Sequence, residues 1–205
     1  SGAAGFTHSG TLDEWELGLP ATAATATGSP AAAFNTCASG TNCWKTDLDN
    51  TYEPSSSQDL LSPAISLGGL SPPVVVSWSQ RYQMDTANND HYTVSLQPLG
   101  TPSSAVRLFD WLGATMADSI GQPPVTVGAS AGWGVVRARA DALAGINVEL
   151  LFHLDSNSGV TNFGGAAIDD VTVTACRAAS ADLSITKTDG VTAVAPGGSA
   201  TYTIT

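Results

Sequence analysis

Prolines and glycines, 11 and 21 of them in 205 residues, interrupt this chain so often that no stretch keeps a helical repeat of apolar positions. The apolar runs between them are short and rich in β-branched residues, which confines the chain to strands. These runs fall at 60–67, with Pro63 marking an edge or a bulge, and at 74–84, 91–96, 105–111, 134–138, 146–154 and 166–176. Seven strands at such spacing predict an all-β fold of two packed antiparallel sheets. The segments 85–90 and 155–159 are rich in Asp, Asn, Ser and Gly and are expected as turns, although their side chains are also potential oxygen ligands.

The last of these strands is the one that asks for an explanation. It reads Gly164-Gly165-Ala166-Ala167-Ile168-Asp169-Asp170-Val171-Thr172-Val173-Thr174, with two adjacent carboxylates in an apolar run. Regular alternation puts Asp169 on one face with Val171 and Val173, and Asp170 on the other with Ile168 and Thr172. One carboxylate is therefore expected to point to the packed side. There it needs hydrogen bonds, a cation or a metal, because an isolated buried charge costs several kcal/mol. Lys and Arg number 7 against 18 Asp and Glu, which favours a metal.

The same balance, a net charge of -11, leaves no basic patch for phosphates, so that nucleic acid is not an expected partner, and it disfavours anionic membranes. Charged residues are only 12% of the chain, against about 25% in ordinary soluble proteins, and no run approaches the length of a membrane span. That composition suits a secreted or cell-surface β-protein. Cys37 and Cys43 bracket a short loop at a spacing that permits a disulfide. Cys176 is left odd, either free or a partner for one of the other two; a zinc site would want further Cys or His ligands nearby.

Catalytic signatures are missing. There is no HExxH and no Gly-x-Ser-x-Gly, and His8, His91 and His153 lie in unrelated local contexts, His153 reading as an ordinary strand histidine. Residues 128–134 carry glycines without the lysine of a phosphate loop. Among the aromatics, Trp78 sits in an apolar run and is expected in the core. Trp44 and Trp111 are the candidates for exposed rings that could stack on a sugar.

After Cys176 the chain changes character. The segment 182–205 reads as two strands about a Gly-rich turn, too short to bury a core of its own. Two units are expected, a sandwich over 1–177 and a truncated repeat over 178–205.

Ordered features along the first unit resemble the jelly-roll modules of the MAM-like and immune-inhibitor-A-like group, accessory domains of secreted bacterial peptidases and adhesive surface proteins, related in turn to galactose-binding-like modules. They are Gly5-Phe6-Thr7-His8-Ser9-Gly10 leading to Trp15-Glu16-Leu17-Gly18, then Cys43-Trp44-Lys45-Thr46-Asp47-Leu48-Asp49-Asn50-Thr51-Tyr52, then Leu61-Ser62-Pro63-Ala64-Ile65-Ser66-Leu67. Asp141-Ala142-Leu143-Ala144-Gly145 and Ile168-Asp169-Asp170-Val171 complete the set. Residues 182–205 resemble the opening of an Ig-like repeat of bacterial surface proteins. The first resemblance implies a calcium ion bridging the first strand, an early loop and the last strand. Asp169 matches the last-strand ligand, with Asp170 beside it. Asp47, Asp49, Asn50, Glu53 and Asp59 supply hard oxygens in the early loop, and Glu14 stands in where the first strand has Thr7. The loop is not an EF-hand, since from Asp47 its sixth position is Tyr52 and its twelfth Gln58.

The expected function is a noncatalytic, calcium-stabilised accessory or adhesive module of an exported multidomain protein, meeting a protein or glycan at the cell exterior. A carbohydrate-binding module is the alternative. A fibre subunit that self-associates through its C-terminal strands is a third reading.

Overall fold

A computed structural model describes residues 5–22, 33–85, 90–111, 115–116, 125–126, 130, 132–159, 163–177, 187–188, 196–197 and 203–204, with the backbone alone at 111, 115–116, 125–126, 187–188 and 203–204. Strands dominate, and the described residues contain no α-helix. In chain order they are β1 Thr7–Thr11, β2 Trp15–Gly18, β3 Cys43–Thr46, β4 Ser57–Leu61, β5 Ile65–Ser66, β6 Leu70–Gln83, β7 His91–Pro98 and β8 Val106–Trp111. There follow β9 Thr115–Met116, β10 Val125–Thr126, β11 Gly134–Arg139, β12 Asn147–Asp155, β13 Gly165–Arg177, β14 Lys187–Thr188 and β15 Thr203–Ile204.

Two antiparallel sheets form the expected sandwich. The first runs β1-β4-β12-β7-β8, with β5 also on β12, and the second runs β11-β6-β13-β3-β2. Alternation on β12 explains the packing. Val148, Leu150, Phe152 and Leu154 are fully buried, while the residues between them face outward. They meet Val74, Val76, Trp78 and Tyr82 of β6, and the Trp78 and Phe152 rings stand edge to face with centroids 6.2 Å apart. Each such side chain contributes roughly 2 kcal/mol by leaving water. Trp78 is thus in the core as expected, with its indole N–H donating to Gln80 Oε1 at 2.8 Å.

At one end of the sandwich the buried Tyr52 hydroxyl donates to Asp90, whose other oxygen accepts the Asn157 N–H at 2.9 Å. Burial and that carboxylate push the phenol well above its ordinary range. Asp90 is therefore a buried structural acid, while residues 86–89 of the expected turn lie outside the described residues.

The expected strand over 60–67 is two strands. Between β4 and β5 the chain leaves the ladder, and the Ser62 hydroxyl accepts the Leu150 N–H at 2.9 Å. The strand expected to begin at 74 begins at Leu70, and its pairing with β13 shifts register beside Pro72 and Pro73, which have no N–H to give. Three N-terminal strands carried no strand signal. β1 is an edge strand, exposed along its whole length and without an apolar residue, and β2 and β3 have four residues each. β13 ends at Arg177, and β14 pairs with β15 in a separate two-stranded ladder.

Candidate functional site

The adjacent carboxylates of β13 sit on a bulge. Asp169 pairs with Ser79 but Thr172 with Ser77, so two residues of β13 oppose Trp78 alone. The bulge resets the alternation: Ile168 and Val171 both face the core, and Asp169 no longer shares a face with Val171 and Val173. Neither carboxylate points between the sheets, contrary to the expectation from regular alternation. Asp170 adopts a left-handed backbone (φ 50°), a conformation that Asp tolerates better than most residues.

Asp169 is buried at 6% exposure because the chain folds over the outside of the second sheet. The disulfide Cys37–Cys43 forms, with Cα atoms 5.5 Å apart, and closes a loop above it. The Ser39 N–H donates to Asp169 Oδ2 at 2.9 Å and the Asp170 N–H to Asp169 Oδ1 at 2.9 Å. The Ser39 hydroxyl donates to Asp170 at 2.6 Å. These hydrogen bonds answer the burial that had argued for a metal. Cys176 is exposed and free.

The covering segment is anchored by Phe34, 1% exposed on the outside of the second sheet. Its ring centroid lies 4.1 Å from the Arg81 guanidinium carbon and 5.3 Å from Lys45 Nζ. Arg81 also donates to the Ala33 carbonyl at 2.8 Å, and the Trp133 indole to the Thr36 carbonyl at 2.8 Å. Gly164 makes room for the ring, since a Cβ there would meet Phe34 Cδ2 at 2.5 Å.

Lys45 was not foreseen as a site residue, yet it is fully buried on that same outer face. Its ammonium donates to the backbone carbonyls of Thr46 (2.7 Å), Asp47 and Asn50 (3.3 Å). Burial lowers it to about 7, a fall that Asp47, Glu14, Glu16 and Asp49 limit. The rim of the loop is hydrogen-bonded too. Asp47 Oδ1 accepts the N–H groups of Asp49 (3.3 Å) and Asn50 (3.0 Å), and Glu14 Oε2 accepts that of Glu53 (3.0 Å). Burial raises the carboxyls of both Glu14 and Asp47.

These placements do not fit the calcium that the resemblance implies. Trp44 pairs with Ile168 and Lys45 with Ala167, so Asp169 is level with Cys43, four residues along the strand direction from Asp47, or roughly 13 Å. Asp59 belongs to the first sheet, where its Oδ1 accepts from His153 Nδ1 at 2.6 Å. The proposed ligands Asp47, Asp49, Asn50, Asp59, Asp169 and Asp170 thus occupy three places. Among the described residues no group of three or more His, Cys, Asp or Glu side chains is set to hold a metal ion. The carbonyls of the early loop already surround an ammonium.

The two candidate stacking rings are also apart. Trp44 is half-buried against the core, with Phe6 and His8 rings at 6.1 and 5.7 Å. Trp111 closes β8 of the first sheet opposite Tyr92, and its side chain lies outside the described residues.

The outer face of the first sheet carries a different group. His91 and His153, unrelated in sequence, come together there with Thr93, Arg107, Asp110 and Asp155 around a cavity of about 280 Å³. Register explains the meeting: Asp155 is opposite His91, and Thr93 lies between His153 and Asp110. A bulge on β8 adds Arg107. Residues three apart normally point to opposite faces, but the shift between Val94 and Ser95 turns both Arg107 and Asp110 outward, with guanidinium and carboxylate 3.7 Å apart.

No protein-family model and no curated protein matches the chain. Among solved structures it is similar to the K2 cleaved adhesin domain of Lys-gingipain, at 16% identity over 83% of this chain and 90% of that one, with a TM-score of 0.47. The K1 cleaved adhesin domain of Lys-gingipain from Porphyromonas gingivalis W83 is similar at 17% identity, over 83% and 98%, with a TM-score of 0.42. TmCBM61 in complex with β-1,4-galactotriose is similar at 10% identity, over 84% and 89%, with a TM-score of 0.46.

Proposed function

We propose that this chain is a noncatalytic binding module, an accessory or adhesive β-sandwich of an exported protein, whose partner is a protein or glycan at the cell exterior. The observation that carries the reading is the asymmetry of the two outer faces. One part of the second sheet's outer face, at Ser79, Arg81, Lys45 and Asp169, is covered by the chain's own 33–50 segment, whereas the first sheet leaves a polar cavity open on a rigid strand platform. The disulfide supports an oxidising location outside the cytosol.

The His153–Asp59 pair resembles half of a nucleophile-activating relay, but among the described residues no hydroxyl or thiol is hydrogen-bonded to that ring. Binding is therefore favoured over catalysis.

The test is binding of the whole chain to panels of glycans and extracellular-matrix proteins, with Thr93→Lys to fill the cavity. Binding that Thr93→Lys removes without shifting the melting temperature supports the module. Silence on both panels overturns it.

A further inference from the structure

The cavity of the first sheet has a chemistry of its own. The described residues that line it, His91, Thr93, Arg107, Asp110, His153 and Asp155, are all polar, with no Phe, Tyr or Trp among them. A guanidinium and two imidazoles can donate, two carboxylates can accept, and the Thr93 hydroxyl can do either. One acceptor is conspicuous. Asp110 Oδ1 is shut off from solvent and so beyond a ligand's reach, which leaves Oδ2 as the oxygen open to a donor. That oxygen faces the Arg107 guanidinium at 3.7 Å, outside hydrogen-bond range.

A ligand that completes this set must donate to Asp110 and accept from Arg107 a few ångströms away. An anion would accept from Arg107 but would bring negative charge against Asp110, Asp155 and the nearby Asp59 on His153. A cation would satisfy the carboxylates and leave Arg107 opposed. A pair of neighbouring hydroxyl groups does both, because each hydroxyl donates once and accepts twice. The volume of about 280 Å³ lies at the lower edge of ordinary ligand pockets, which suits one ring-sized unit at the end of a larger molecule. We infer that the outer face of the first sheet binds a neutral sugar unit through a vicinal diol held between Asp110 and Arg107, with His91, His153 and Asp155 placed to take the flanking hydroxyls. This inference rests on the binding-module reading and names its ligand. Recognition here is by hydrogen bonds in a polar cleft, without the stacking rings expected from the sequence.

The probe is a printed array of neutral, sialylated and sulfated oligosaccharides, read with the whole chain and with Arg107→Ala and Asp110→Ala. The expected result is binding to neutral glycans, weakened about tenfold or more by each substitution, the loss of roughly one charge-assisted hydrogen bond, with melting temperatures unchanged. No neutral glycan bound, or both variants binding as the parent does, overturns the inference. If the glycan array is silent while a matrix-protein panel is bound and Thr93→Lys abolishes that binding, the sugar assignment fails and the module reading stands. Silence on both panels overturns both. Should either variant fail to fold, titration of the parent with mannose, galactose and glucose decides. Shifts of the His91 and His153 imidazole signals in NMR uphold the site, and unmoved signals remove it.

Discussion

Two patches, one on the outer face of each sheet, are built from similar residues and meet opposite fates. On one part of the second sheet the outward positions carry Ser79, Arg81, Lys45 and Asp169, and the chain lays Phe34 and the disulfide loop over them until each is less than one-tenth exposed, while Val135 on β11 stays at the surface. On the first sheet the outward positions carry His91, His153, Arg107, Asp110 and Asp155, and these remain at the surface around a cavity. Charge alone does not mark a site. Where the chain supplies its own partners, namely three carbonyls for Lys45, the Ser39 N–H for Asp169 and the Phe34 ring for Arg81, charged residues become structural. Where it leaves Arg107 and Asp110 at the surface, 3.7 Å apart and outside hydrogen-bond range, the face is set for something else.

The comparison is open to attack from the covered face first. Phe34→Ala should cost about 3–4 kcal/mol in denaturant unfolding, because it empties the site between two cations and releases the covering segment. A cost under 1 kcal/mol would mean that this segment is not part of the fold. Removing the Cys37–Cys43 bridge by paired Ser substitutions should lower stability by about 2 kcal/mol, the closure entropy of so short a loop. Asp169→Ala should cost about 1.5 kcal/mol by stripping the Ser39 and Asp170 N–H groups of their acceptor. That loss should be the same in chelator and in millimolar calcium, and a penalty seen only with calcium would restore a metal to Asp169.

Lys45 gives a pH signature. Its folded ammonium titrates at about 7, below the value of about 10.4 in an unfolded chain, so between those limits the unfolded state binds more protons. Stability should therefore rise with pH from about 7 toward 10, by at most about 1.4 kcal/mol per pH unit. It should fall again above 10, where the raised phenols of Tyr52, Tyr82 and Tyr92 make unfolding easier. Lys45→Met should flatten the rise between 7 and 10 in urea melts, and an unchanged slope would place the titration elsewhere. The smallest effect belongs to the open face. His153→Ala should move stability by less than about 0.5 kcal/mol, as for an ordinary surface position. A large loss there would make the His153–Asp59 pair structural and close the contrast between the faces.

Most of the sandwich was legible in the chain, because apolar alternation on strands such as β12 reports burial directly. β1 to β3 were not, since an exposed edge strand without apolar residues and two four-residue strands carry too little pattern. Asp169 and Asp170 stand out in an apolar strand, but regular alternation misplaces them, because a bulge follows Asp169. The same blindness hid the cavity. Arg107 and Asp110 read as residues of opposite parity, and the bulge on β8 put them on one face. Outward histidines at 91 and 153 were the available signal, and only strand register joined them.

By itself the sequence determined what depends on local pattern and composition: an all-β chain, a core Trp78, a close cysteine pair, and a net negative charge. The tertiary structure decided what depends on which distant residues meet. It set an ammonium among loop carbonyls, the Phe34 ring between two cations, and two histidines in one cavity with Arg107 and Asp110. The physical reason is that burial follows from a residue's own side chain and its neighbours in sequence. Hydrogen-bond satisfaction follows from strand register, and a single inserted residue changes that without altering the character of the chain around it.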